Sequence, residues 1–477
     1  MGPLAGAGLR PGPAGPAAAE HAAELLRRLG ATVLPAGDGG HLEYEAPDGA
    51  RVAVARGDVD ALTDWAQSGA MWLTGPAAGP PLAAPGRPAS AARAAGAALD
   101  LMTQACRGLR RVEVDGARLL GERAAFAGLV RRGDLSPGGS CRLVPTADGL
   151  VAVNLARPAD TDLVPAWLQL ESVPADAWET VVHAAASRPT AVLCERAELL
   201  GLPVAAVPSP QAARRRVPWR LSRMHRCRQA HSREPGRVVD LSSMWAGPLC
   251  ANLLGLAGFE VVKVESTSRP DGARRGDAAM FDLLHGGHRS VMVDFGDRAG
   301  LQRLQRLIAG ADVVIESSRP RALEQLGLGP GRLLSPARGQ IWISITGYGR
   351  GPRDRGRVAF GDDAAAAAGL VARTDAGHAL FCGDAIADPL TGLHAALVAI
   401  AMWTGSCGGL AAVAMRDVAA STLWGGRRPR ASAATRGPGG TWLVRTPAGT
   451  VEVARQVARP AARPAPAPGA DDGFLRG

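Results

Sequence analysis

Apolar and polar positions in the second half of the chain alternate in a pattern that predicts strands and helices in turn. Residues 238–241 form a short apolar run, as in a buried parallel strand. Pro248 then stands where a helix can start, because a residue in the first helical turn needs no N–H partner. The leucines between residues 249 and 256 share one face of this helix, and Gly258 ends the helix. Residues 260–265 form a second strand. The turn of this β-α-β unit aims N–H groups and a helix N-terminus at a bound group such as a phosphate.

The alternation continues to residue 424, and it predicts a parallel sheet with helices on both faces. Asp297 is placed to cap a helix with one apolar face. The elements predicted after the first unit are the helix that follows Asp297, strands at 312–315 and 341–345, and helices at 360–372 and 388–403.

The first part of the chain, residues 1–114, repeats elements of this pattern in a weaker form. Residues 24–34 resemble residues 252–262, and residues 89–99 resemble residues 387–397. The two similarities predict a degenerate internal duplication. In this alignment Ser90 stands where the second copy has Asp388, so the first copy lacks that carboxylate.

Four segments follow residue 114 in the predicted organisation. Residues 115–212 are typical of a smaller α+β domain, with a helix at 117–131, a hairpin at 141–155 and helices at 175–186 and 190–200. Residues 213–236 are basic and are either a patch for anionic groups or a solvated linker. The α/β domain then spans 237–424. Residues 425–477 predict two short strands and a flexible tail rich in proline and alanine.

Composition narrows the classes of function. A chain of 477 residues has room for two or three domains. The formal net charge of +10 suggests either nucleic-acid binding or an arginine bias that suits anionic ligands, and Lys263 is the only lysine. Because no sequence motif of a nucleic-acid-binding module is present, we expect no nucleic-acid partner.

Cysteine usage and hydropathy bear on the compartment. None of the seven cysteines forms a C-x-x-C pair, which is typical of reduced thiols and predicts a cytoplasmic protein without a signal peptide. Residues 389–415 are long enough to span a bilayer, but residues 404–409 interrupt them with three glycines and polar side chains. We therefore expect a buried helix and a buried strand here, no membrane association, and no metal site.

Five segments in fixed order resemble the class III CoA-transferases, a family that also contains α-methylacyl-CoA racemases. They are DLSSMWAGP with GFEVVKVE, HGGHRSVMVDF, DVVIESSRPRALEQLGL, ISITGYGRGP and AIADPLTGLHAAL. The resemblance covers residues 237–424 and implies a Rossmann-like parallel sheet of the class III type. It also implies coenzyme A as part of an acyl-CoA substrate, with a carboxylic acid as second substrate. Family members form interlocked homodimers, although tandem halves would also allow an internal pseudo-dimer.

Asp388 is the first candidate for catalysis, at the start of a predicted helix. A helix N-terminus favours an ionised carboxylate, which can attack a thioester to give an acyl anhydride. The matching aspartate does this in the family the chain resembles, whereas a simple helix cap is the alternative. Asp362, where racemase members place a histidine, and the adjacent Asp363 are general acid/base candidates or caps of the next helix.

Coenzyme A recognition is assigned from the same resemblance. The residues that match the lining of the nucleotide are Ser243, Met244, Trp245 and Ala246, and Trp245 either stacks on adenine or belongs to the core. His288 and Arg289 match a basic pair near the CoA phosphates, and Arg319 is a further phosphate candidate. No glycine-rich loop, of the kind that many transferases close over the site, is evident after residue 423.

These features leave three functions open. The first is a CoA-transferase that works through an aspartyl anhydride and an aspartyl-CoA thioester. The second is a racemase, isomerase or dehydratase on the same fold, in which Asp388 moves an α-proton with Asp362 as partner. The third is a non-catalytic CoA-binding scaffold.

Overall fold

The structure, a computed structural model, describes residues 2–10, 17–34, 41–47, 49–55, 60–172, 175–227, 234–424 and 433–475. Parts of the predicted segments lie outside the described residues: residues 1, 11–16, 35–40, 48 and 56–59 of the first segment, 173–174 of the α+β domain, 228–233 of the linker, and 425–432 and 476–477 of the last segment.

The first segment contains a small four-stranded sheet and three helices. Its elements are β1 (Gly8–Arg10), α1 (Ala17–Arg28), β2 (Thr32–Val33), β3 (His41–Glu45), β4 (Arg51–Ala55), α2 (Ala61–Gln67) and α3 (Pro88–Ala105). The strand order is β2-β1-β3-β4, in which β1 and β2 run parallel and the other pairs run antiparallel. Helix α1 therefore joins two parallel strands.

The second segment is built on a three-stranded antiparallel sheet in the order β5-β6-β7. Its elements are a 3-10 turn (Arg118–Gly121), α4 (Glu122–Phe126), β5 (Cys141–Pro145), β6 (Leu150–Asn154), α5 (Pro158–Asp162), α6 (Val164–Leu168), α7 (Ala177–Ala185), α8 (Thr190–Leu200) and β7 (Val204–Ala206). The hairpin and the helices α7 and α8 agree with the predictions. The helix predicted at 117–131 is shorter, because the chain turns after Phe126 and Gly128 adopts a φ of +61°.

The third segment carries a seven-stranded sheet. Its elements up to the middle of the sheet are β8 (Trp219–Arg226), β9 (Arg237–Asp240), α9 (Ala246–Leu256), β10 (Glu260–Ser266), α10 (Ala278–His285), β11 (Arg289–Val293), α11 (Arg298–Ala309), β12 (Val313–Glu316), α12 (Pro320–Gln325) and α13 (Pro330–Leu333). The later elements are β13 (Ile341–Thr346), α14 (Gly361–Ala368), β14 (Val371–Arg373), β15 (Ala379–Phe381), α15 (Ala387–Thr404), β16 (Cys407–Ala414), α16 (Met415–Ser421), β17 (Thr435–Arg436), β18 (Trp442–Thr446) and β19 (Gly449–Glu452).

The large sheet has the order β11-β10-β9-β12-β13-β16-β8. All neighbouring strands run parallel except β16 and β8. The six parallel strands, numbered along the chain, lie in the order 3-2-1-4-5-6 of doubly wound nucleotide-binding folds. The winding reverses between β9 and β12, so a crevice opens at the carboxyl ends of these two strands. The predicted mixed α/β class with a largely parallel sheet is confirmed.

Strand β8 differs from the prediction, because it falls inside the segment expected to be a linker. It pairs with β16 and closes one edge of the large sheet. The side chain of Trp219 is 4% exposed, whereas Arg220 and Ser222 face solvent. Alternation of this kind places one face of a strand against the core, which the abundance of arginine concealed in the sequence.

Helix α15 lies at the centre of the molecule and is buried on all sides. It packs against α3, α9, α14 and α16 and against the strands β13 and β16. Only Asp388 and Thr404 on this helix keep contact with solvent. One hydrophobic core includes Leu99 of α3, Leu253 of α9 and Leu397 of α15, so the two halves of the chain fold against each other. Among the described residues, no helix is long and apolar enough to cross a membrane.

The end of the chain is packed, in contrast to the predicted flexible tail. Arg459 Nε lies 2.6 Å from Glu122 Oε1, which ties the tail to the second segment. Further along, Asp471 exchanges two backbone and side-chain hydrogen bonds with Ser290, and Asp472 accepts from the Met292 amide. These bonds occupy donors of β11, which is the other edge of the large sheet, and so block strand pairing there.

Candidate active site

The turn after β9 is held by a buried ion cluster. The ammonium of Lys263 donates to the Ser242 carbonyl and to Asp271 (2.9 Å), and it lies 3.6 Å from Asp240. Asp271 in turn accepts from the Met244 amide at 3.0 Å. Met244 has a φ of +73°, a region that costs energy for a residue with a side chain, and this bond stabilises it.

The turn reaches across the crevice to the end of β12. The Ser243 amide donates to Ser317 Oγ at 3.2 Å, and both Ser243 and Met244 are exposed. Arg319 follows at the start of α12, also exposed, and makes no ion pair with any described residue. A free guanidinium and a strained turn therefore border the crevice, as an anionic ligand requires.

Asp388 lies where three helices begin. It is the second residue of α15 and remains partly exposed. The Ala246 amide at the start of α9 faces its carboxylate. Gly361, the first residue of α14, approaches so closely that an added Cβ would overlap with Asp388 Oδ2. Three helix N-termini together favour an anion at this point.

The pKa of Asp388 reflects opposing influences. Burial raises the pKa of this carboxyl to about 7. The positive charge of Arg123 and the Ala246 amide act to lower this pKa, whereas the negative charges of Asp362 and Asp384 raise it. The carboxylate is therefore poised to change its charge near neutral pH, which is typical of functional groups.

Asp362 and Asp363 have separate roles at the start of α14. Asp362 Oδ1 accepts from the Ala385 amide at 2.8 Å, and burial together with the charge of Asp384 raises the pKa of Asp362 to about 6. Asp363 instead caps α14 by accepting from the Phe360 amide at 2.9 Å, and it accepts from Asn154 Nδ2 at 3.1 Å. Burial raises the pKa of Asp363 to about 8.

The second segment contributes groups that the sequence did not indicate. Arg123 of α4 makes two hydrogen bonds to Asp384, which is fully buried; the bond from Nε is 2.8 Å long. Gly138 lies beside the same guanidinium, where a Cβ would come within 2.9 Å of Arg123 Nη2. Gly138, which Gly139 follows, thus reaches the site from residues 115–212.

A second buried carboxylate, Glu316, ends β12 at the floor of the crevice. Arg350 Nη1 donates to Glu316 at 3.1 Å and to Ser344 Oγ at 2.9 Å. Burial raises the pKa of Glu316 to about 7. Both residues lie inside segments quoted for the family resemblance, but nothing in their local pattern separates them from surface charges.

The structure does not bring every candidate to this crevice. Trp245 is 4% exposed and packs in the core, with the Arg123 guanidinium 5.8 Å from its ring centre. Arg289 begins β11 at the opposite edge of the sheet, where Glu260 and Asp471 neutralise it. His288 is buried beside Gly255, and burial lowers its pKa to about 3, so it carries no charge for a phosphate.

The remaining predicted residues do lie together. Ser243, Met244 and Ala246 belong to the turn after β9, Arg319 follows β12, and Asp388 faces Ala246. No group of three or more histidine, cysteine, aspartate or glutamate side chains within the described ranges is arranged to hold a metal ion.

The arrangement defines a class of protein: a doubly wound α/β fold with a partly exposed carboxylate beside its nucleotide-type crevice. Residues 235–423 match the family model described as CoA-transferase family III. This match confirms the resemblance of residues 237–424 to the class III CoA-transferases that the five segments carry.

The curated relatives are also CoA-transferases, and each matches only part of this chain and part of its own length. An acyl-CoA transferase of Fusarium pseudograminearum is 32% identical over 214 residues, which cover 40% of this chain and 47% of the relative. Succinyl-CoA–D-citramalate CoA-transferase of Chloroflexus aurantiacus is 32% identical over 29% of this chain and 36% of the relative. Formyl-CoA:oxalate CoA-transferase of Rhodopseudomonas palustris is 31% identical over 34% of this chain and 40% of the relative. The chain thus spans less than half the length of these relatives.

Solved structures are similar over comparable shares. A hypothetical protein of Mycobacterium tuberculosis is 33% identical with a TM-score of 0.35, over 38% of this chain and 55% of that chain. A CaiB/BaiF family protein from Brucella suis is 27% identical with a TM-score of 0.38, and the match covers 46% of this chain and 65% of that protein.

The close approach at Gly361 leads to a first prediction. Gly361→Ala is expected to displace the Asp388 carboxylate and to lower the free energy of unfolding by about 1–3 kcal/mol through overpacking. Gly356→Ala, at a glycine with open space around it, is the matched control. Chemical denaturation of both variants measures the difference, and equal stabilities would contradict the packing at Gly361.

The buried cap of α14 gives a pH dependence. Folding raises the pKa of Asp363 from 3.8 to about 8, so the folded chain retains a proton that the unfolded chain has lost between these values. The contribution of Asp363 to stability therefore falls as the pH rises from about 4 to about 8. Asp363→Asn keeps the accepting oxygen without this titration. We expect its free energy of unfolding, relative to the unmodified protein, to increase with pH over that range, and a pH-independent difference would refute the assignment.

Proposed function

We propose that this chain is a CoA-transferase that moves CoA between an acyl-CoA and a carboxylic acid, with Asp388 as nucleophile. The observation that carries the proposal is the position of Asp388. It is a partly exposed carboxylate on an otherwise buried helix, set against the turn that borders the crevice. A helix buried on all sides keeps an ionisable group at cost, which favours a functional role.

The reaction follows from carboxylate and thioester chemistry. The Asp388 carboxylate attacks the thioester carbonyl, the C–S bond breaks, and a mixed anhydride and CoA thiolate result. The thiolate then attacks the aspartyl carbonyl, which releases the first acid and leaves an aspartyl-CoA thioester. The second acid attacks this thioester, which breaks the C–S bond, releases CoA thiolate and forms a second mixed anhydride. The thiolate then attacks the acyl carbonyl of that anhydride, which gives the new acyl-CoA and frees the Asp388 carboxylate.

The crevice supplies the binding groups. The exposed turn at Ser243 and Met244 offers backbone to the nucleotide, and the unpaired Arg319 suits a phosphate of CoA. The amide of Ala246 and the three helix N-termini stabilise negative charge where the tetrahedral intermediates form. Gly138 lies beside Arg123 and Asp384, which supports a role for this loop at the acyl group.

Trapping tests this proposal on the full chain. The protein is incubated with a panel of acyl-CoAs and hydroxylamine, and the peptide that contains Asp388 is analysed by mass spectrometry. An aspartyl hydroxamate at Asp388 that requires acyl-CoA is the expected result. If CoA binds but neither hydroxamate formation nor exchange of label between acyl-CoA and free acid is seen, a non-catalytic scaffold is supported instead.

A racemase or isomerase is the second candidate. It is favoured by one observation: the pKa values of Asp362 and Asp388 are raised to about 6 and about 7, as an acid/base pair at neutral pH requires. This function predicts incorporation of deuterium from solvent at the α-carbon of a 2-methylacyl-CoA. Transferase chemistry predicts exchange of the acid without such incorporation.

We also propose that the first segment is a degenerate copy of the α/β domain, which makes the chain an internal pseudo-dimer. Helices α3 and α15 are both 18 residues long and pack against α1 and α9. Gly30 and Gly258 end α1 and α9 with φ values of +103° and +105°. Ser90, at the position of Asp388, is buried and bonded to Asp64, so one nucleophile per chain is expected.

A further inference from the structure

The carboxylates around Asp388 share one cation, and that cation comes from outside the family-matched residues. Arg123 belongs to α4 in the second segment, more than a hundred residues before the match begins. Its guanidinium bonds both oxygens of Asp384, one helical turn before Asp388, and lies over Trp245, which precedes Ala246. Arg123 thus contacts the elements on both sides of Asp388.

We infer that Arg123 is a positioning residue that keeps Asp388 ionised for attack, so that the amino-terminal half of the chain completes the active site. The inference rests on the proposed function and identifies what regulates the reactivity of that site. It concerns a residue that does not touch the reacting atoms, and acts on them through the charge of Asp388.

The charged groups that face Asp388 set the balance between its neutral and its ionised form. Asp362 approaches from α14 and Asp384 from the turn before α15, and both disfavour a further negative charge. The Ala246 amide from α9 and the Arg123 guanidinium favour it. Arg123 is the positively charged side chain with the largest influence on Asp388, so its removal leaves a surplus of negative charge.

The place of Arg123 is fixed independently of Asp388. The preceding residue, Glu122, is 1% exposed and binds Arg459 of the carboxyl-terminal tail through both carboxylate oxygens. On its other side the guanidinium packs against Gly138. The cation is therefore held in position before any substrate binds, which is the condition for electrostatic preorganisation.

Carboxyl-carbon NMR of ¹³C-aspartate-labelled full chain tests the inference without relying on activity. The Asp388 resonance is identified by its loss in Asp388→Asn. Its titration midpoint is expected to rise by about 1 pH unit or more in Arg123→Gln and to stay near the unmodified value in Arg123→Lys. Arg118→Gln, an exposed arginine that pairs only with Asp115, is the matched control and should leave the midpoint unchanged.

Asp384→Asn separates a charge effect from a structural clamp. If Arg123 acts through its charge, this variant removes a negative neighbour and lowers the midpoint of Asp388, opposite to Arg123→Gln. The Asp384→Asn variant also keeps the inference testable if Arg123→Gln does not fold. An unchanged midpoint in Arg123→Gln, or a raised midpoint in Asp384→Asn, would overturn the inference.

Measurement of CoA transfer tests the proposed function separately from the role of Arg123. If CoA transfer occurs, the acid limb of its pH profile should move with the NMR midpoint in each variant. If no transfer occurs in the unmodified protein, the proposed function fails, while the NMR titration still decides the role of Arg123.

Discussion

Asp388→Asn is expected to lower the rate of CoA exchange by about 10⁴-fold or more, because removal of a nucleophile abolishes the covalent route. An amide is isosteric with the carboxylate but does not attack a thioester at neutral pH. The same variant should fold at least as stably as the unmodified protein above pH 7, since it removes a charge from a site where burial disfavours it. Exchange of labelled acid and denaturant unfolding measure the two effects.

The matched control for this variant is Asp176→Asn. Asp176 also precedes a helix, α7, and caps it in the second segment. Asparagine is an equally good cap, so both stability and exchange should remain near the unmodified values. Exchange within tenfold of the unmodified rate in Asp388→Asn would rule out this residue as the nucleophile.

Lys263→Met is expected to lower the free energy of unfolding by about 3–5 kcal/mol, which is typical when one partner of a buried ion cluster is lost. The substitution leaves Asp240 and Asp271 without their shared cation, although both are almost completely buried. It also removes the donor to the Ser242 carbonyl, so the strained Met244 should relax. Denaturant unfolding measures the stability, and calorimetry measures weaker binding of CoA.

Arg303→Met is the control for the loss of a cation. The side chains of Arg303 and its partner Asp297 are 40% and 47% exposed, and surface pairs of this kind contribute at most about 1 kcal/mol. If Lys263→Met is no less stable than Arg303→Met, the buried cluster does not hold the turn, and CoA recognition must depend on other contacts.

The sequence predicted the elements whose signals are local. The apolar run and proline of the first unit became β9 and α9, Asp297 caps α11, and residues 404–409 do separate a buried helix from a buried strand. Asp388 was assigned from the family resemblance, and its position beside Ala246 fits that role.

Features that depend on contacts between distant residues were missed. Arg123 and Asp384 are 261 positions apart, and neither has a local pattern that marks it. Helix α14 was drawn too long because the sequence of alanines conceals the stop at Gly369, which has a φ of +88°.

One wrong placement was avoidable. Arg289 begins a parallel strand, and residues that begin such strands lie at the amino edge of the sheet, away from the crevice. The direction of the strand already argued against a contact of Arg289 with the turn after β9.

The buried ion cluster has a practical consequence for the chemistry of the whole molecule. Lys263 is the only lysine in the sequence, and its side chain is 1% exposed. An amine-directed acylating reagent therefore finds no lysine at the surface, and it reaches Lys263 only when the sheet opens. The rate at which Lys263 takes up such a reagent would make this residue an internal reporter of opening, readable by peptide mass without any added label.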